Sequence, residues 1–509
     1  MRARLVGPLA LIALVFGGAA PVVAQDRGGL TADLDTLLSA PALDGADVAL
    51  VVRAADGRTV YSHAADRRRQ PASNAKLVTS AAALDVLGPD YRFDTTVHAT
   101  GRRHGPVQDG DLYLRGTGDP TVLAADYDAL ARQVAGAGVR VVTGRLVADD
   151  TWFDDVRLGA SWAWDDEPYY YSAQVSALTA APDTDYDAGS IIIRVEPGAD
   201  GKAKVTTEPP TDYVTIANSA VTGPAGSANT ISVDRVHGAN TFTVTGSIPA
   251  GGAATTEWMA VWEPTGYAAA LFRAALTRHG VRVLGPTTRG AVPATNTTLA
   301  TRRSMPLREL LVPFLKLSNN LHAEILVKAM GRATKGEGTW SAGLAAVASR
   351  LPAYGIDPAR LSLRDGSGLS RMDQISPDQL AALLAAARSR PWFPEWYEAL
   401  PIAGKADRMV GGTLRSRMRG TAAEGRVHAK TGSLTGVSSL SGYVTTADGQ
   451  LWVFSMVTNN AIGVNLKTLE DTVTVRLAQE GSASARTVAS TPNLTGETSE
   501  LECSWAKAC

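Results

Sequence analysis

The stretch Gln70-Pro71-Ala72-Ser73-Asn74-Ala75-Lys76-Leu77-Val78 has the form of a nucleophile set at the mouth of a helix. From Leu77 to Leu87 the chain is rich in Ala and Leu, with Leu77, Ala81 and Leu84 recurring on one face. Gly88-Pro89 supplies the stop. Ser73 and Lys76 are three residues apart, so on a helix their side chains share a face one turn apart. A serine hydroxyl is a poor nucleophile without a base in hydrogen-bond reach, and a neutral lysine amine can serve. First-turn amides and the positive end of the helix dipole favour an oxyanion forming over Ser73. The pattern alone is weak, because Ser504 and Lys507 repeat it in a tail with no helical run behind it.

Working outward, the 509 residues are 45% hydrophobic and 19% charged, the composition of a globular chain with ample core and length for about three domains. A formal net charge of −1 gives no basic footprint for nucleic acid. Arg2 and Arg4, the apolar run Leu9 to Phe16 and the small-residue site Val22-Val23-Ala24 read as a secretory signal over residues 1–24. The run is too short to span a bilayer, so the mature chain is expected to be exported without a transmembrane helix, into the envelope or the medium. Its two cysteines, Cys503 and Cys509, lie at the extreme C-terminus, where they could close only a small loop. The seven histidines show no metal-ligand spacing, which argues against a zinc hydrolase, and no cofactor is called for.

Asp47 to Arg53 and Thr59 to His63 are β-rich around Asp56-Gly57, a hairpin signal. From about Phe93 to Thr288 short Val- and Thr-rich runs dominate, with a helix over Ala125 to Val134. Helical character returns at Leu307–Leu317 and Leu321–Met330, with Gly331 expected to end the second. Ser376-Pro377 opens another helix. Three strands follow, Val427 to Leu434, Ser438 to Thr446 and Leu451 to Thr458, and a closing helix over Asn465 to Glu480. Two early strands and three late ones can form one sheet, with the first and last helices packed on it and the middle segment an excursion. The fold class is therefore α+β.

Two further motifs join the first. Ser318-Asn319-Asn320 lies between two helices, and Lys430-Thr431-Gly432 lies on a strand. Each has decoys, such as Ser227-Ala228-Asn229, but the ordered set on suitable elements carries weight. Ser-x-x-Lys, Ser-x-Asn and Lys-Thr-Gly in this order resemble the penicillin-binding proteins and serine β-lactamases. Ser318 follows Ser73 by 245 residues, and a large insert there is similar to class C penicillin-binding proteins, the D-alanyl-D-alanine carboxypeptidase/endopeptidase family S13. Leu112 to Pro120, Asp365 to Arg371 and Leu400 to Gly404 look like that family too.

The resemblance implies a penicillin-binding/serine β-lactamase-like transpeptidase domain, a five-stranded antiparallel sheet with helices on both sides. It would be formed by residues 25–92 and 287–481 and split by two mainly β nested domains, 93–117 with 184–286 and, within it, 118–183. Residues 482–509 would be a flexible tail. It implies Ser73 as nucleophile, Lys76 as its base, Lys430 as the second cation that favours the neutral amine, Ser318 as a proton relay and Asn320 as a holder of Lys76 and of a substrate amide. Thr431, Gly432 and Ser433 would line the substrate strand, with the hydroxyls of Thr431 and Ser433 on one face to meet a terminal carboxylate. Arg371 and Asp166 would suit a stem-peptide side chain ending in a carboxylate and an amine, although a surface arginine and a solvated acidic loop account for the same residues. Asp365 and its glycines are expected to shape a turn. The partners implied are peptidoglycan stem peptides, with β-lactams as acylating inhibitors. A β-lactamase or a non-catalytic penicillin-binding sensor would use the same pocket. A class A β-lactamase, however, adds Glu-x-x-Leu-Asn after Ser-x-Asn, and none follows Ser318.

Overall fold

Gly57, with φ +85°, turns the chain so that Asp47–Arg53 and Thr59–His63 pair as a hairpin. In the computed structural model, which describes residues 28–482, 492–494 and 496, this hairpin is one edge of a five-stranded antiparallel sheet. The order is Thr59–His63, Asp47–Arg53, Leu451–Asn459, Val437–Thr445 and Val427–Leu434. Side chains alternate between two cores, as a strand's period of two requires. Val51, Tyr443, Val453 and Val457 face a core shared with the helices Ala75–Val86, Asn320–Lys335 and Pro377–Ala387. Leu50, Val52, Phe454 and Met456 face the helices Gly28–Leu38 and Leu466–Ala478 on the other side. The strand Val427–Leu434 is left as the second edge.

The helix Asn320–Lys335 runs through Gly331 instead of ending there, and stops at Gly336 with φ +74°. A Cβ on Gly331 would lie 2.6 Å from Glu337 O and 2.7 Å from Gly343 N, so this glycine serves close packing against the helix Trp340–Arg350.

Strand pairing divides the insert differently from the expected boundaries. Leu146–Asp149 pairs parallel with Leu112–Gly116 through a crossover containing the helix Ala124–Gly136, so residues after 118 share a sheet with those before it. Thr287–Arg289 and Thr297–Arg303 complete that sheet, which carries the insert on to residue 303. The strands between Ser190 and Ala260 pair among themselves in further small sheets. Residues 1–24 and both cysteines lie outside the described residues. Of the expected loose tail, Leu494 is buried in the core against Leu466–Ala478, and its carbonyl accepts from Asn465 N at 3.0 Å.

Candidate active site

Ala72, with φ +47°, bends the chain into a short turn over residues 72–74 that feeds the helix Ala75–Val86. A non-glycine residue in this region is strained, and strain of this kind clusters at functional sites. Ser73 is set at the helix mouth and Lys76 is fully buried beneath it. Lys76 Nζ lies 2.8 Å from Ser73 Oγ, and donates to Asn320 Oδ1 at 2.7 Å and to Ser367 O at 2.9 Å. Asn320 is held in turn, its Nδ2 donating to Tyr171 O at 2.8 Å.

Ser318 also adopts positive φ, +60°, where the chain turns from the helix Leu307–Lys316 into Asn320–Lys335. Asn319 caps the second helix by accepting from His322 N, while its Nδ2 donates to Asp187 Oδ1 at 3.0 Å. Asn319 therefore braces the turn while its neighbours face the cleft. Lys430 Nζ donates to Ser318 Oγ at 2.7 Å and to Thr431 O at 2.8 Å. One hydroxyl–amine pair from the start of the chain and another joining its middle and end thus meet in one buried cleft.

Gly432 explains how the strand comes so near. A Cβ there would lie 2.9 Å from Ser73 N and 2.4 Å from Ser439 Oγ, so any larger residue would push the strand away from Ser73. Ser439, opposite Gly432 in the hairpin, accepts from Asn74 Nδ2 at 2.6 Å and donates to Pro71 O at 2.8 Å. Lys430 and Gly432 share the face toward Ser73, and Thr431 and Ser433 share the other, where Thr431 Oγ1 lies 2.8 Å from Thr413 Oγ1.

With this geometry in place, comparison with known proteins is informative. The sequence model of the D-Ala-D-Ala carboxypeptidase 3 (S13) family matches residues 30–480. The chain belongs to this family. A D-alanyl-D-alanine carboxypeptidase of Actinomadura sp. (strain R39) is 47% identical over 524 residues, covering 100% of this chain and 96% of the relative. The D-alanyl-D-alanine carboxypeptidase DacB of Haemophilus influenzae is 28% identical over 76% of this chain and 80% of its own. Among solved structures, penicillin binding protein 4 (dacB) of Haemophilus influenzae superposes with a TM-score of 0.73 at 25% identity, covering 86% of this chain and 93% of the other.

In this S13 peptidase, Arg371 is near enough to Asp166 for its charge to act on the carboxyl. Arg371 donates to Thr435 O at 3.2 Å, just past the Lys430 strand. Asp166 Oδ1 accepts from Tyr171 OH at 3.0 Å. Burial raises the Asp166 carboxyl above its ordinary range and Asp165 adds to this, while the charge of Arg371 opposes it. The segment 161–172 of the insert forms this wall, with Ser161 Oγ and Ser370 Oγ 2.7 Å apart and Trp162 Nε1 donating to Asp365 Oδ2 at 2.8 Å. The sequence reading missed Asn74, Tyr171, Thr413 and Ser439. Tyr171 acts through its carbonyl and left no signal. Ser439 could have been found from the two-residue turn Thr435-Gly436, which fixes Leu434 opposite Val437 and hence Gly432 opposite Ser439.

Asp183, Asp185 and Asp187 bring carboxylate oxygens within 4.8 Å of one another. Trp258 Nε1, Arg408 Nη2 and Asn319 Nδ2 already donate to them, at 2.9, 2.6 and 3.0 Å. The cluster works as a brace for the Ser318 turn.

Proposed function

We propose that the protein is an exported serine DD-peptidase of the cell envelope that removes the terminal D-Ala from D-Ala-D-Ala stem peptides and is acylated by β-lactams. The observation that carries this is the setting of Lys76 Nζ against Ser73 Oγ, Asn320 Oδ1 and Ser367 O. Two of its partners, Asn320 Oδ1 and Ser367 O, can only accept. In the neutral amine these acceptors can hold the N–H groups while the lone pair accepts from Ser73 Oγ, 2.8 Å away. The base is oriented by its acceptors before substrate arrives.

Ser73 Oγ attacks the carbonyl between the two D-alanines as its proton passes to Lys76 Nζ. The backbone N–H groups of Ser73 and Ser433 hold the resulting oxyanion. Lys430 donates to Ser318 Oγ, so the Ser318 hydroxyl can pass its own proton to the leaving amine and take back in its place the one Lys76 received, which returns Lys76 to the neutral amine. The C–N bond breaks, D-Ala departs, and water enters by the reverse proton path to hydrolyse the ester. The substrate backbone lies along the edge strand Val427–Leu434, with its terminal carboxylate toward Lys430 on the face that carries Ser73, and not toward the Thr431 and Ser433 hydroxyls on the other face. The same acyl-enzyme would form from a cross-linked stem peptide, so endopeptidase action needs no additional group. Arg371 and Asp166 receive the carboxylate and amine of a diaminopimelate-type side chain. Among the described residues no helix is long and apolar enough to cross a membrane.

The experiment is acylation by a fluorescent penicillin with release of D-Ala from a stem pentapeptide measured in parallel. Wild type should form a long-lived adduct and release D-Ala, and Ser73→Ala should do neither. Fast, repeated turnover of nitrocefin with no D-Ala release would favour a β-lactamase instead.

A further inference from the structure

Three buried carboxyl groups unused by this mechanism, Glu324, Asp365 and Asp373, stand behind Lys76. They hold the loop whose carbonyl meets the lysine. Glu324 accepts from Ser367 N at 2.8 Å and from Gly366 N at 3.0 Å. Asp365 Oδ1 accepts from Gly368 N at 2.8 Å. The peptide unit between them therefore has its carbonyl on Lys76 Nζ and its N–H on Asp365. Lysine and carboxylate are joined through one peptide, about 8 Å end to end. Gly368 makes this possible, because its φ of +84° turns the N–H back toward Asp365, and a Cβ would strike Ala72 O at 1.9 Å.

Asp365 is placed as an acceptor on both of its oxygens. Its Oδ2 also accepts from Ser370 N at 2.7 Å and Trp162 Nε1 at 2.8 Å. Asp373 Oδ1 accepts from Arg364 N at 2.6 Å, while its buried Oδ2 has no donor among the described residues. A carboxylate oxygen so placed is costly, and a proton on Asp373 directed at Asp365 resolves it. Burial and the neighbouring Asp365 charge push the Asp373 carboxyl well upward, in the direction this requires.

We propose that Asp365 is a positioning residue whose charge, transmitted by the Ser367–Gly368 peptide, sets the pH at which Lys76 begins to act as a base. Donating an N–H to a carboxylate strengthens the acceptor at the far end of the peptide. A negative charge at that distance favours the ammonium form, against Lys430 on the neighbouring strand, which favours the amine. The other titratable groups around the pair are Glu324 on the Asn320 helix and Asp373 in the loop. The proposal rests on Lys76 being the base, and a label retained in Ser73→Ala would remove that reading by itself.

The test is the pH profile of penicillin acylation for the folded, full-length protein and three variants. Asp365→Asn should move the acidic limb down by about one pH unit. Asp373→Asn replaces a protonated carboxyl with a neutral donor and should leave the limb where it is. An Asp365→Asn limb that stays in place while the rate falls evenly at every pH would reduce Asp365 to a structural role and overturn the proposal. So would an Asp373→Asn shift as large as that of Asp365→Asn. Should Asp365→Asn fail to fold, Asp365→Ser, which keeps a hydroxyl acceptor without the charge, decides: a limb moved to lower pH supports the proposal, and an unmoved limb overturns it.

Discussion

Asn320 Oδ1 accepts from Lys76 Nζ at 2.7 Å across 244 residues of sequence. The amide cannot be turned around, because its Nδ2 is engaged by Tyr171 O at 2.8 Å and would meet a carbonyl with its own oxygen if flipped. The insert, through Tyr171, therefore fixes which atom of Asn320 faces the lysine.

Replacing Asn320 by Leu removes this acceptor and leaves a buried amine N–H unmatched, at a cost of about 1–3 kcal/mol. Penicillin acylation should slow by about 10- to 100-fold. Stopped-flow labelling checks this, with the thermal transition as the folding control.

Gly432→Ala places a methyl 2.9 Å from Ser73 N and 2.4 Å from Ser439 Oγ. Overpacking of this kind costs about 1–3 kcal/mol, and here the strand must move away from Ser73 to relieve it. Acylation and D-Ala release should both fall by at least about 10-fold. A D-Ala release assay against wild type measures the loss.

Arg371→Ala and Asp166→Ala should each lower kcat/KM about 10-fold or more for stem peptides ending in a diaminopimelate side chain, on the scale of a charged hydrogen bond. Lysine stem peptides should lose less with Arg371→Ala, since they lack the second carboxylate. Equal loss on both peptides with Arg371→Ala, or no loss on either with Asp166→Ala, measured by D-Ala release, would leave these residues outside the subsite.

His322 is fully buried and its imidazole is pushed down to about 4, chiefly by loss of hydration. The folded state keeps it neutral, whereas the unfolded chain binds a proton below about 6.5. Its contribution to stability is present above the unfolded value and lost as pH falls from about 6.5 to 4, on the order of 3 kcal/mol in all. Urea unfolding at several pH values should show this slope in wild type and a shallower one in His322→Gln.

The sequence made the central sheet and the cleft legible for identifiable reasons. Asp56-Gly57 announces a hairpin locally, and Ser73, Lys76, Ser318, Asn320 and Lys430 are side chains whose types and order carry chemical meaning. The insert was less legible because the parallel pairing of Leu112–Gly116 with Leu146–Asp149 is encoded by no turn. Gly331 misled because a helix-ending glycine and a close-packing glycine look alike in sequence. Tyr171 stayed hidden because main-chain carbonyls have no residue signature.

The central claim is that Ser73, deprotonated by Lys76, is the group that takes up the acyl chain. Its most direct test is mass spectrometry of the penicillin-treated protein, with peptide mapping of the adduct. One penicilloyl group on the peptide containing Ser73, absent from Ser73→Ala, is the predicted result. An adduct on any other residue, or none on folded wild-type protein, would contradict it.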